Sequence, residues 1–140
     1  MTDKKKRLTM NDMVAYCFEK PGAYTDFPFG QVPVCIKVKN HTFAQFYTNP
    51  DDPKVTFRSQ KVFKILMAQK YPKSVKNAVE YPDMGKAYWY TLHLSSRERI
   101  PDDQLARMMD QAYDAVLSVL SSKEREEVTA MEGQTKIPLI

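Results

Sequence analysis

The middle third of the chain concentrates the residues best suited to chemistry on phosphate. Between Lys37 and Lys86 stand ten basic residues: Lys37, Lys39, Lys54, Arg58, Lys61, Lys64, Lys70, Lys73, Lys76 and Lys86. Only Asp51, Asp52, Glu80 and Asp83 oppose them, a local surplus of six in a chain of net charge +4. Such a surplus can steer and neutralise an anionic partner, although an ordinary lysine-rich solvated surface has the same composition. Lys4, Lys5, Lys6 and Arg7 add a basic N-terminal arm, while Glu124, Glu126 and Glu127 reverse the sign near the C-terminus.

Other chemistries find less support. A nucleophile needs a base within reach, and the two histidines, His41 and His93, fall in a hairpin turn and near a strand end. The four glycines are not clustered, so there is no phosphate-cradling loop. A carboxylate site for a hard cation would need an acidic ridge, yet the first helix offers only Asp12 and Glu19. Asp102 and Asp103 are explained by the positive end of a helix. Cys17 and Cys35 lack metal-ligand spacing and read as buried free thiols. The expectation is therefore a non-enzymatic protein with no metal and no cofactor. With no leader-like apolar segment and no run of about 20 apolar residues, a cytoplasmic protein without a membrane span is expected.

The elements that must carry these residues follow from periodicity. Thr9 and Asp12 read as a capping box, and Met10, Met13, Val14, Cys17 and Phe18 form one stripe of a short helix stopped by Pro21-Gly22. Asp26-Phe27-Pro28-Phe29-Gly30 is too apolar for a plain surface loop and reads as a plug between that helix and the sheet, with Asp26 bonding its own backbone. Val34, Ile36 and Val38 alternate as a strand. Asn40 is the expected positive-φ residue of a tight connection to a second strand at about 42–48. A third strand runs from Lys54 to Arg58 with its cations outward. Ser59 is the expected N-cap of a second helix, for which Val62, Phe63, Leu66 and Met67 are spaced and which ends near Tyr71-Pro72. Val75 begins a short irregular strand, and Tyr88, Tyr90 and Leu92 point inward from another. Leu105 to Leu120 keep helical periodicity for four turns, and 123–140 reads as a loose tail.

Several of these residues are shared with a known family. The first helix ending at Cys17 and Pro21-Gly22, the Asp26-Phe27-Pro28-Phe29-Gly30 run, Ile36-Lys37-Val38 with Phe43-Ala44, and the strand ending at Arg58 match in order. Lys86-Ala87-Tyr88-Trp89 and the closing helix with Tyr113 and Val116 complete the match. In these the chain resembles the MmcQ/YjbR family of small bacterial proteins, across about residues 8–122. The resemblance implies an α+β fold of the frataxin-like (CyaY-like) kind, α-β(3)-α-β(2)-α, with an antiparallel sheet of about five strands and helices packed on one face. The basic arm 1–7 and the tail 123–140 would flank that single domain.

The resemblance also implies DNA binding. With helices on one face, the other is free to meet a partner, and Lys37, Lys54, Arg58 and Trp89 alternate toward it. Cations and an indole suit phosphate neutralisation and stacking on unpaired bases. The competing reading is that Trp89 packs structurally on a cluster of its own and the lysines simply solvate. The expected nucleic-acid site is Lys37, Lys39, Lys54, Arg58, Lys61, Lys86 and Trp89. The alternative is a protein-interaction module, a homodimer or a holder of another partner, acting through a sheet edge or the Ile137-Pro138-Leu139-Ile140 tip.

Overall fold

A computed structural model describes residues 8–28, 30–77, 88–95 and 99–131. Its elements are α1 (Met10–Phe18), β1 (Tyr24–Asp26), β2 (Val34–Val38), β3 (His41–Tyr47), β4 (Lys54–Ser59), α2 (Lys61–Lys70), β5 (Val75–Asn77), β6 (Tyr88–His93), α3 (Asp102–Leu117) and α4 (Ser122–Ala130). The strands form one antiparallel sheet in the order β1-β2-β3-β4-β6-β5, with the helices on one face.

Local chemistry accounts for the starts and turns. In α1 the capping box closes as the sequence predicts: Asp12 N donates to Thr9 Oγ1 at 3.1 Å, and Thr9 N to Asp12 Oδ2 at 2.9 Å. The β2–β3 hairpin turns on two residues, and both Lys39 (φ 49°) and Asn40 (φ 68°) are left-handed. Asn40 alone was expected; a two-residue loop matching the strand twist needs positive φ at both positions. Tyr24 on the neighbouring strand braces this turn, its hydroxyl accepting from Asn40 N at 3.2 Å. The register shifts between Ile36 and Lys37, so Phe43 is an extra residue opposite their junction. Phe43 and Ala44 are then both buried, and the Phe43 ring meets Tyr113 edge-on at 5.6 Å.

The core lies between α3 and the middle strands. Across the sheet, Ile36, Ala44, Phe57 and Tyr90 oppose one another in one row, and Val34, Phe46, Val55 and Leu92 in the next. All eight are buried, as are Leu105, Met108, Met109, Ala112 and Val116 of α3, which packs on β3 and β4. Burying each large apolar side chain is worth about 1.5–3 kcal/mol, so this layer dominates the fold. α1 is fastened to α3 by polar contacts at its end. Tyr16 Oη donates to Asp110 Oδ1 at 2.8 Å, Lys20 Nζ reaches the same oxygen, and Tyr113 Oη donates to Pro21 O at 2.7 Å.

Five expectations need correction. Tyr88, expected to point inward with Tyr90, is 43% exposed at the start of β6. The sheet has six strands, because β1 adds to the β2 edge through only three residues, too few to show a period. The run after it is no plug: Asp26 Oδ1 does accept from Phe27 N at 2.8 Å, but Phe27 is 40% exposed, since the chain leaves the sheet edge there; Phe29 lies outside the described residues. Ser59 ends β4, paired with Tyr88, and Gln60 is the N-cap of α2 without a side-chain cap. Of the expected tail 123–140, the first part is helical as α4, opened by a Ser121–Glu124 capping box, while 132–140, with the Ile137-Pro138-Leu139-Ile140 tip, lie outside the described residues. The one buried residue of α4, Val128, packs where Gly22 has φ +78°; a Cβ at Gly22 would lie 3.3 Å from Val128 Cγ1 and 3.2 Å from Met131 Sδ.

Val128, the Lys39–Glu127 ion pair at 2.7 Å and the hydrogen bond that Arg125 Nη1 donates to Leu117 O at 3.3 Å therefore dock α4. Val128→Asp should release it, accelerating tryptic cleavage at Lys123 and Arg125 while the remaining domain keeps nearly its full thermal midpoint. A cooperative loss of the whole transition would show instead that α4 is integral to the core.

Candidate functional site

The sheet face opposite the helices carries most of the expected site, and its centre is closed. Cys35, Gln45, Thr56 and Thr91 stand in register across β2, β3, β4 and β6, and all four are buried. Thr56 and Thr91 share a hydroxyl hydrogen bond at 2.8 Å, and Gln45 Nε2 donates to Cys35 Sγ at 3.9 Å. Burial pushes the Cys35 thiol up, away from the reactive thiolate. Cys17 is buried on the helix side, and its thiol is pushed up for the same reason.

The cations lie along the margins of that face, folded onto their neighbours. Lys37 Nζ pairs with Asp26 Oδ2 at 3.0 Å, and Lys54 Nζ pairs with Asp52 Oδ2 at 3.1 Å while lying 5.2 Å from the Tyr47 ring centre. Lys39 is turned toward α4 and Glu127. Arg58 donates from Nε to Thr42 O at 2.9 Å and lays its guanidinium 4.9 Å over Trp89; burial lowers its pKa. Trp89 beneath it is only 6% exposed, so the indole expected to stack on bases is covered. Long side chains that lie flat bury their stems and close the surface between them. Lys61 stands elsewhere, exposed at the start of α2, and Lys86 is outside the described residues. The expected set is thus not one cluster. The histidines are half-buried, at the start of β3 (His41) and the end of β6 (His93). Among the described residues no three His, Cys, Asp or Glu side chains group as metal ligands.

A surface that the sequence reading did not single out lies on α2. Its inward side chains are Phe63 and Met67, whereas Val62 is 69% exposed, Ile65 45% and Leu66 48%. At about 3.6 residues per turn, 62, 65, 66 and 69 share one outward face, with Lys61 on one flank and Lys70 on the other. The helix carries Lys61, Lys64 and Lys70 and no carboxylate. Beside it, between α2 and α3, is a cleft of about 370 Å³ floored by Phe63, Leu66 and Met67 and rimmed by Lys70, Gln104 and Arg107. Arg107 sits 5.9 Å from the Phe63 ring centre, and Lys70 Nζ donates to Gln104 Oε1 at 3.3 Å. Among the described residues no carboxylate pairs with Lys61, Lys64, Lys70 or Arg107. The missed signal was Ile65: with Val62 and Leu66 it completes an i, i+3, i+4 stripe that differs from the Phe63–Met67 stripe facing the core.

A six-stranded antiparallel sheet with helices on one face defines a small α+β domain of a type already seen. It is similar in fold to the crystal structure of Deinococcus radiodurans protein DR2400, a DUF419 domain, with a TM-score of 0.74 over 94% of this chain and 93% of that one at 19% identity. A family model described as YjbR matches residues 18–115, and the chain belongs to the YjbR family. Proteins named "Uncharacterized protein YjbR" from Escherichia coli K12 and O157:H7 are each 24% identical to it over 119 residues, covering 85% of this chain and 96% of theirs. No helix among the described residues is long and apolar enough to cross a membrane.

The ion pairs give the fold a definite acid response. The Lys37 hydrogen bond, helped by Phe27 N–H, lowers the Asp26 pKa, and the Lys39 hydrogen bond lowers that of Glu127. A depressed carboxylate stabilises the folded state above the ordinary carboxylate pKa, and that contribution disappears as pH falls through the folded value. The urea midpoint should therefore drop as the pH falls below the ordinary carboxylate range. Asp26→Asn with Glu127→Gln should flatten that limb, and an unchanged limb would show that neither pair supports the fold.

Proposed function

We propose that this YjbR-family chain is a non-enzymatic binding module that holds a protein partner on the face of α2. One observation carries the reading: Val62, Ile65 and Leu66 stand in water on one helix face, beside a cleft and among cations that lack carboxylate partners. Ile65 and Leu66 are about half exposed and Val62 more so, and covering them would recover part of what full burial of each such side chain is worth, about 1.5–3 kcal/mol. They are contiguous on one helix face instead of scattered singly over the surface, and contiguity is what an interaction patch requires. Ile65 and Lys54 provide a matched pair of reporters. A photo-cross-linking residue at 65 should give a discrete protein adduct in cells, lost on Leu66→Ser, whereas one at 54, on the opposite side of the sheet, should not. Adducts arising from 54 alone, or adducts removed by nuclease, would overturn the reading.

DNA binding is a second reading, favoured by the surplus of six positive charges between Lys37 and Lys86. With Trp89 covered, it would act through phosphates instead of bases, and Lys37 and Lys54 would first exchange Asp26 and Asp52 for phosphate oxygens. Exposed pairs are worth only about 0–1 kcal/mol, so the exchange is energetically accessible. Asp26→Asn with Asp52→Asn should then raise duplex affinity and steepen the slope of log K against log salt by up to about 2. Absent or salt-insensitive binding to single- and double-stranded DNA would exclude this reading.

A further inference from the structure

We infer that the α2 face is built for an acidic amphipathic helix, its apolar side chains seated on Val62, Ile65 and Leu66 and its carboxylates reaching Lys61, Lys70 and Arg107. The inference rests on α2 being the working surface and adds the chemistry of the partner. Cations stand on both flanks of the stripe, Lys61 on one side and Lys70 with Arg107 on the other, so an incoming rod meets positive charge along both edges. Lys70 is held by the neutral Gln104 amide, and no carboxylate of the described residues pairs with any of the three. Elsewhere Lys20, Lys37, Lys39 and Lys54 each have a carboxylate partner. Among the described residues Arg58, Lys73, Lys76 and Arg125 also lack a carboxylate partner, three of them bonded to backbone carbonyls instead. What α2 adds is an exposed apolar stripe lying between its cations.

Two other occupants fit less well. A second copy packed face to face would set Lys61 and Lys70 against the same two lysines, because a two-fold interface pairs a patch with itself. An anionic bilayer would satisfy the charges. Yet the surface beside the stripe is concave, floored by Phe63 and Met67, which suits one protruding side chain better than a flat interface. Three aliphatics on a ten-residue helix, without an exposed aromatic on it, also make a small membrane footprint. Helix-in-groove recognition needs what is present: anchors spaced i, i+3, i+4 and a groove to receive them.

The test uses the full chain and a labelled synthetic helix of about 18 residues, roughly five turns. Leu occupies one stripe of that peptide and Glu the other positions; a control carries Lys in place of Glu. Fluorescence anisotropy should show binding of the acidic peptide, weakened at least about tenfold by 0.5 M salt or by Ile65→Ser, and no binding of the basic one. Lys61→Glu with Lys70→Glu should invert that preference. Both positions are exposed, so an unchanged thermal midpoint will show that the variants remain folded. Equal binding of both peptides, or binding indifferent to Ile65→Ser, would overturn the inference, as would phosphatidylglycerol vesicles competing where the peptide does not bind. Cross-links from position 65 without acidic-peptide binding would discard the partner's chemistry and leave the surface itself standing.

Discussion

Everything in this molecule depends on covering one face of a twisted sheet with a single long helix. β4 and β6 send Val55, Phe57, Tyr90 and Leu92 to the same side, and the residues are too large and apolar to remain in water. α3 meets that need with Met108, Met109, Ala112 and Val116, lying over β3 and β4 at the centre of the sheet. The other helices take what space is left. α1 fits beside α3, fastened by Tyr16, Lys20 and Asp110. α2 meets only the β5–β6 end of the sheet and the flank of α3, where two inward side chains, Phe63 and Met67, suffice. A helix held by so narrow a contact has a wide face to spare.

Charge distributes according to the same geometry. β1 pairs with β2, so Asp26 stands opposite Cys35 and within 3.0 Å of Lys37 Nζ. The turn into β4 sets Asp52 against Lys54, and α4 returns to bring Glu127 to Lys39. Three cations that count as surplus along the chain are therefore balanced in space, one of them by a residue 88 positions away. Part of the imbalance that survives folding lies on and beside α2, at Lys61, Lys64, Lys70 and Arg107. A positive total says little about where an anion would bind; local pairing says more.

Much of the fold was legible because its signals are local and periodic. The α1 capping box, the alternation of Val34, Ile36 and Val38, and the four turns of α3 each follow from spacing alone. The family resemblance added the one-sided arrangement of helices, which periodicity cannot supply. What escaped was set by long-range contact. β1 is three residues paired through a neighbour, and α4 shows a single buried side chain, so neither carries a readable period. For the candidate site, alternation correctly placed Lys37, Lys54, Arg58 and Trp89 on the face away from the apolar rows. It could not show that Arg58 would lie down on Trp89, because that contact depends on the register Arg58↔Trp89 between β4 and β6.

The α2 stripe also shows why amphipathicity is an incomplete guide. Val62, Phe63, Leu66 and Met67 are equally apolar, and a helical wheel lets any pair of them face the core. Packing divides them, burying 63 and 67 and leaving 62 and 66 outside with Ile65. The helix itself does not require those three aliphatics. Gln, Lys or Glu form helix as well as Leu does, and better than Val or Ile. Nor does the core require them, since none is among its buried residues. Residues that the helix can do without and the core does not use are the ones whose chemistry must be explained by something outside the chain. In this domain they stand together, between lysines, at the mouth of a cleft.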